Sequence, residues 1–449
     1  MAKIVPFRGI RYNPERVQDL SRVIAPPYDV ISPALQEELY SRHDNNIVRL
    51  ILGRILAGDS EQDNRYTRSA SDFQQWQDDG ILVRDQEPSI YLYDQEYPSE
   101  DGQLLIRHGI VALSRIEDFS TGLVKPHEKT LSDPKADRYQ LTKACSANFS
   151  PIFALYSDPC CVLEVLGKKE KARDPDLLVH DDEGVIHRLW RTSEPSLIEK
   201  FQSVLDNKPL LLADGHHRYE AAIGYRNYMR EKHPGYTGKE LFNFVMICFS
   251  NMEDRGMLVF PAHRVVSHLP QFEYESFFRD LAVYFDIDSH PLDTTCDEAR
   301  RQVRRTVADL GTTRHVLALF SGPGEIHYLS LKDEKVMDDF FDAKTPKVLR
   351  TLDVSILHQL ILERLLKISP EAQEQQDHLK YIKGFDEPFR MVEKEGAQLA
   401  FLMNPTRMSE VRDVANAEEK MPQKSTYFYP KLLSGMVINK IVEGESVSN

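Results

Sequence analysis

The pattern of apolar and polar positions changes texture along the 449 residues. Up to about residue 266, short apolar runs alternate with stretches of helical period. Strand-like runs fall at 90–97, 104–113, 149–156, 210–213, 242–249 and 257–266, and 47–52 reads as a strand or a buried run. Helical spacing covers 33–41, 64–78, 135–147, 196–205 and 217–232, with Pro33 at a favoured first-turn position. Beyond 267 the helices lengthen (272–283, 295–310, 354–366), with strands at 315–321, 326–331, 378–384 and 398–404 between them. The segment 421–435 combines Lys424 and Lys431 with Tyr427, Phe428 and Tyr429. Such a stretch is expected to dock, either lining a pocket with its two lysines or pinning the terminus to the core. The expected division is a core over 1–266, a C-terminal α+β domain over 267–420 and a docking tail over 421–449.

The core is organised around Leu210-Leu-Leu-Ala-Asp214-Gly215-His216-His217-Arg218-Tyr219. A buried strand runs into Asp214-Gly215, a helix N-cap residue type followed by one free to take unusual dihedrals. A helix begins directly behind. This arrangement sets unpaired N–H groups and the positive end of a helix dipole at one point, which makes an anion site. Successive helical residues point about 100° apart, so His216 and His217 are not expected to face one ligand together.

Three further polar points stand out. Tyr28 and Asp29 follow Pro26-Pro27, which hold the chain extended and stiff, so they could aim at a ligand or simply belong to a connector. In 124–138 hydrophobic periodicity stops, while His127, Glu128, Lys129, Lys135 and Arg138 accumulate. A carboxylate and an imidazole beside several cations could serve both a hydroxyl and a phosphate, where a plain charged loop would be solvated surface. His263-Arg264 closes a strand near the expected domain boundary.

Composition narrows the field. Apolar residues make up 41% and charged residues 28%, as in ordinary globular proteins. A net charge of −14 argues against a nucleic-acid-coating role and leaves room for a local basic pocket. The five cysteines, at 145, 160, 161, 248 and 296, form no CxxC pair, so a disulfide framework or cysteine zinc site is not expected. No apolar run reaches bilayer-spanning length and the first residues show no signal-type apolar region, so a cytoplasmic protein without membrane partners is expected. Oligomeric state is left open by the sequence.

Five stretches together resemble the bacterial domain-of-unknown-function family 1015: VIAPPYDVI (23–31), HEKTLSDPKADR (127–138), NFSPIFALY (148–156), ADGHHRYEAA (213–222) and MPQKSTYFYPKLLSG (421–435). The shorter element Asp214-Gly215-His216-His217-Arg218 is similar to the DGHHR element of free serine kinases of the ParB/sulfiredoxin-like fold. The resemblance implies an α+β fold, with a mixed-sheet ParB/sulfiredoxin-like catalytic core elaborated by a C-terminal α+β region. It also implies a nucleotide-dependent kinase acting on free L-serine, with ATP or ADP as donor and Mg²⁺ as cofactor. A nucleotide and a small-molecule substrate would then be the partners. The implied catalytic glutamate is assigned to Glu128, which lies in the polar loop before the central motif.

On this reading Asp214, Glu128 and His216 form the catalytic set, with Asp214 or Glu128 accepting the hydroxyl proton. Gly215, His217, Arg218, Lys129, Lys135 and Arg138 hold phosphate, and Tyr28, Asp29 and His127 meet the substrate. No Walker A or kinase-type glycine loop is present, so only an unconventional kinase fits. Two other classes stay open. One is a metal-dependent phosphoester hydrolase or nuclease, with Asp214, His216 and either His127 or His263 as ligands, although the HExxH spacing is missing. The other is a non-catalytic nucleotide sensor.

Overall fold

The computed structural model describes residues 3–99, 102–128, 132–206, 208–422 and 424–447. The fold is α+β, and its chain divides into two compact units. The first comprises Met1–Pro126, Thr130–Leu258 and Pro430–Asn449; the second comprises His127–Lys129 and Val259–Tyr429. The second unit is thus an insertion between the body of the first and its last strand-forming segment. This arrangement differs from the division read from the sequence. The run expected to close the core at 266 splits into Leu258–Phe260 and His263–Val266, and His263–Val266 pairs with the second unit's strands.

The first unit is built on a nine-stranded mixed sheet among the described residues. From one edge its order is Val124–Pro126, Leu210–Asp214, Ile152–Tyr156, Phe244–Asn251, Leu104–Arg115, Ile90–Pro98, Ile186–Thr192 and Leu177–His180, with Ile4–Val5 added against Leu104–Arg115. Two pairings are parallel, Leu210–Asp214 with Val124–Pro126 and Phe244–Asn251 with Ile152–Tyr156. On one face Ile110, Ala154, Ile247 and Phe249 pack against Phe201 and Leu205 of the Pro195–Leu205 helix and Tyr219 and Ala222 of the His216–Lys232 helix. A second core joins Tyr12, Leu39, Phe73, Trp76 and Phe149 to Ile438 from the returning segment. The run at 47–52 belongs to this core as one buried helical turn, Val48–Ile51, and not as a strand.

The returning segment is stitched in by backbone pairing. Ile438 bridges Ile10, Ser434 bridges Ala25, and Asn439–Lys440 pairs with Ala147–Asn148. The segment beyond residue 430 is thereby joined to the first unit by backbone pairing and by the burial of Ile438.

The second unit has a six-stranded antiparallel sheet among the described residues, in the order Phe285–Leu292, Gly324–Leu331, Val316–Phe320, Leu399–Leu402, His263–Val266, Leu379–Ile382. Its core gathers Val265, Val303, Val307, Phe320, Phe389 and Leu402. The helical stretch expected at 354–366 is α-helical only over Asp353–Ser355. It continues as a π-helix over Ile356–Leu365, where the Leu366 N–H reaches the Ile361 carbonyl at 2.9 Å.

Gly9 shows how tightly the returning segment is packed. A Cβ there would lie 2.3 Å from the Tyr91 hydroxyl and 2.6 Å from Val437. The Gly9 N–H also donates to that hydroxyl at 2.8 Å, and the hydroxyl in turn donates to Asp85. Gly9→Ala is expected to lower stability by about 1–3 kcal/mol through overpacking, read as a reduced urea midpoint, whereas Gly58→Ala, with open space around its Cβ, should not.

Candidate functional site

The Leu210–Asp214 strand is four-fifths buried apolar residue and ends in a carboxylate. Its ladder with Ile152–Tyr156 shifts register between Leu212 and Asp214, a bulge that ends regular pairing where the turn begins. Gly215 turns the chain at φ 86°, in the left-handed region. A Cβ at Gly215 would stand 3.0 Å from the Arg218 guanidinium, so the site needs glycine for space as well as for backbone conformation. The helix then runs His216–Lys232.

Asp214 does not cap this helix, as its residue type had suggested. Gly215 holds the N-cap position and no side chain caps the first turn. The Asp214 carboxylate instead receives Lys431 Nζ at 2.8 Å and faces Arg218 Nη2 at 3.4 Å. Burial works to raise its pKa, but Lys431, Arg218 and then His216 outweigh it and hold the carboxyl ionised far below the usual range.

Arg218 is fixed from behind, its Nη1 donating to the Pro151 carbonyl at 2.6 Å. Its Nε is buried with no hydrogen-bond partner among the described residues. Arg138 and Tyr28 join Arg218 around a small cavity of about 40 Å³. The Arg138 guanidinium lies 3.9 Å over the Tyr28 ring, donates to the Ile51 carbonyl and is paired with Asp137. Burial and the neighbouring Asp29 push the Tyr28 hydroxyl up to about 12 against the pull of Arg138 and Arg218, so it is a neutral donor at physiological pH.

The structure thus brings together Asp214, Gly215, His216, Arg218, Arg138 and Tyr28 from the residues singled out in the sequence. His216 is buried and His217 half-buried on the first turn. Asp29 is exposed on the Tyr28–Val30 turn. Lys135 pairs with Glu220 at 3.3 Å, beside a groove lined by Phe119, Tyr139 and Ile223. Lys129 lies outside the described residues.

Other candidates belong to the second unit. His127 is fully buried; its Nε2 meets the Thr426 hydroxyl at 2.8 Å, its ring packs edge-on against Phe428, and its carbonyl accepts from Met421. Glu128 is 3.4 Å from the same Thr426 hydroxyl and 3.8 Å from His127. His263 accepts the Met403 N–H at 3.1 Å, and burial, then Arg264 and Arg304, push it down to about 3, which makes it a neutral packing residue.

Two cations were missed in the sequence reading or left undecided. Lys431 sits 217 positions from Asp214, too far for any local motif to connect them. Arg107 lies mid-strand in Leu104–Arg115, almost fully buried, stacked over Phe153 and bonded to Gln95 and the Pro430 carbonyl. An alternating strand pattern gives no sign of it. Among the described residues no group of three His, Cys, Asp or Glu side chains is placed to hold a metal ion. A Mg²⁺ at the turn would be held chiefly by nucleotide phosphates, with Asp214 as the carboxylate of the turn itself.

The Asp214–Lys431 pair has a pH signature. The folded pKa of Asp214 is depressed, so its stabilising contribution is present above the unfolded value near pH 4 and is lost as pH falls through the lower folded value. Lys431→Met should reduce stability at pH 7 by about 2 kcal/mol, because it removes one of the two cations bonded to a partly buried carboxylate. It should also flatten the acid limb of the denaturation profile below about pH 4. An unchanged acid limb would show that the pair does not carry this linkage.

No helix among the described residues is long and apolar enough to cross a membrane. No curated protein matches the chain. Solved structures similar to it include a free serine kinase mutant in complex with ADP, at 10% identity and TM-score 0.32, covering 68% of this chain and 84% of the kinase. They also include a conserved hypothetical protein from Pyrococcus furiosus (11%, 0.32, covering 69% and 89%) and C-terminally truncated SbnI from Staphylococcus aureus (9%, 0.32, covering 75% and 85%). The model of the family described as protein of unknown function, DUF1015, matches residues 4–355. With that span covering more than three quarters of its length, the chain belongs to the DUF1015 family.

Proposed function

We propose that the chain is a nucleotide-dependent small-molecule kinase whose acceptor is free L-serine and whose donor is ATP or ADP. The observation that carries this reading is the convergence of Arg218, Lys431 and Arg138 around the start of the His216–Lys232 helix, with the Arg218 Nε left without a partner among the described residues. Cations and a helix N-terminus gathered at a glycine turn are what a phosphate requires.

Phosphoryl transfer depends on positioning and on neutralising charge that builds on the transferred group. Arg218 supplies a forked donor, Lys431 a second positive charge, and Arg138, pinned by Asp137 and Tyr28, a third. Asp214 keeps Lys431 and Arg218 in place. Because those cations hold it strongly ionised, Asp214 is a weak proton acceptor. That favours Glu128, of the two carboxylates expected to take the hydroxyl proton, for this step. Mg²⁺, when bound, would neutralise phosphate charge.

Phosphorus NMR of the full chain with Mg²⁺, L-serine and either nucleotide is expected to show a phosphoserine resonance that needs both serine and one nucleotide. Arg218→Ala should weaken nucleotide binding roughly 10- to 100-fold, the worth of charge-assisted hydrogen bonds. Glu128→Gln should abolish transfer and leave nucleotide affinity within about twofold. Full turnover by Arg218→Ala, or nucleotide consumption indifferent to serine, would remove the reading.

A further inference from the structure

The second unit contains a cavity of about 420 Å³, within the size range of small-ligand sites. Phe341, Leu349, Pro370, Met421 and the Tyr381 ring supply its apolar walls. Its floor is Ser355, His358 and Gln359, where the α-helical turn passes into the Ile356–Leu365 π-helix. Wide i→i+5 turns are uncommon and recur at functional sites.

Two features of this floor are unexplained by the protein alone. Ser355 is fully buried and its hydroxyl has no hydrogen-bond partner. Behind His358 lies Arg264, 1% exposed, whose Nε and Nη2 both reach His358 Nε2, at 3.2 and 3.0 Å. A guanidinium offers no lone pair, so Nε2 is the acceptor and the neutral ring carries its proton on Nδ1. Arg264 is otherwise bonded to the carbonyls of Ala262 and Lys424 and covered by the Tyr381 ring at 4.9 Å. Among the described residues no carboxylate forms an ion pair with it. A buried guanidinium with no carboxylate in direct contact, and Glu128 acting on it only from farther off, therefore stands behind a floor carrying an unsatisfied hydroxyl.

The remaining lining has the opposite sign. Glu374, Glu418 and Glu419 line the same cavity, with Lys420 between them and the floor's Met421 wall, and Glu374 and Glu418 are exposed. The lining therefore carries both donors suited to a negative or acceptor group and carboxylates suited to a cation.

We propose that this cavity binds a small zwitterion of the free amino acid class, its carboxylate against Ser355 and Gln359 in front of Arg264 and its ammonium among Glu374, Glu418 and Glu419. The site is composed wholly of second-unit residues and is independent of the kinase reading.

The test is isothermal titration of the full chain with each of the twenty amino acids, with ethylamine and propionate as half-ligand probes. At least one amino acid should bind and neither half-probe should match it. Ser355→Val should weaken that binding about tenfold, the loss of one hydrogen bond to a charged group. Glu419→Lys, at a half-exposed position, gives the same readout if Ser355→Val fails to fold. Arg218→Ala should leave the affinity unchanged. The proposal is overturned if no amino acid binds, if ethylamine or propionate alone binds equally well, or if binding survives both cavity variants.

Discussion

The candidate site depends on one ion pair, Asp214 with Lys431. The strand, the glycine turn and the helix behind it all come from a single run of sequence, and that run places a half-buried carboxylate next to a half-buried guanidinium. Such a carboxylate is stable there only if its charge is balanced and its oxygens are bonded. Lys431 supplies the balance, and it can do so because the returning segment is pinned by pairing at Ala25, Ile10 and Ala147–Asn148. Sheet pairing in one place thereby fixes a charge in another.

This also sets the character of the turn. A carboxylate with a cation on each oxygen is a fixed anchor and not a proton shuttle, and the cations it orients keep donor capacity for something else. The Arg218 Nε is the visible remainder of that capacity. Arg138, stacked on Tyr28, is held in a similar way by Asp137, so each cation around the small cavity has its own carboxylate support. Rigid support of this kind is what positioning of a phosphate group calls for.

Much of this was legible from residue types and spacing, for reasons that are local. The strand, turn and helix over 210–232 announce themselves because burial period, a glycine and a helical face follow one another directly. Tyr28 and Arg138 were identifiable as polar groups on stiff or charged segments, though nothing local brings them to Arg218. What escaped depends on distance or on weak pattern. The undecided role of Lys431 needed tertiary structure, and Arg107 sits at a strand position that usually carries an apolar group. The edge strand Phe285–Leu292 was missed because Asp286, Asp288 and His290 face solvent along much of its length and mask the apolar signal. A π-helix has the same composition as an α-helix, so the wide turns from Ile356 could not be told apart by period. Asp214 as a cap was a sound local inference that the nearby cations overrode.

The insertion of Val259–Tyr429 before the last segment of the first unit has a consequence for synthesis. Asp214 leaves the ribosome 217 residues ahead of Lys431. At ordinary elongation rates that is an interval on the order of ten to forty seconds. During it the nascent first unit has its glycine turn and its arginine but an unbalanced acid, and the sheet face that the final segment will cover is still open. The pocket is therefore assembled last, and a ribosome that stalls anywhere in the inserted unit releases a chain that has most of the scaffold and an incomplete charge set. In this architecture the charge set around the turn is complete only once Lys431 has been made.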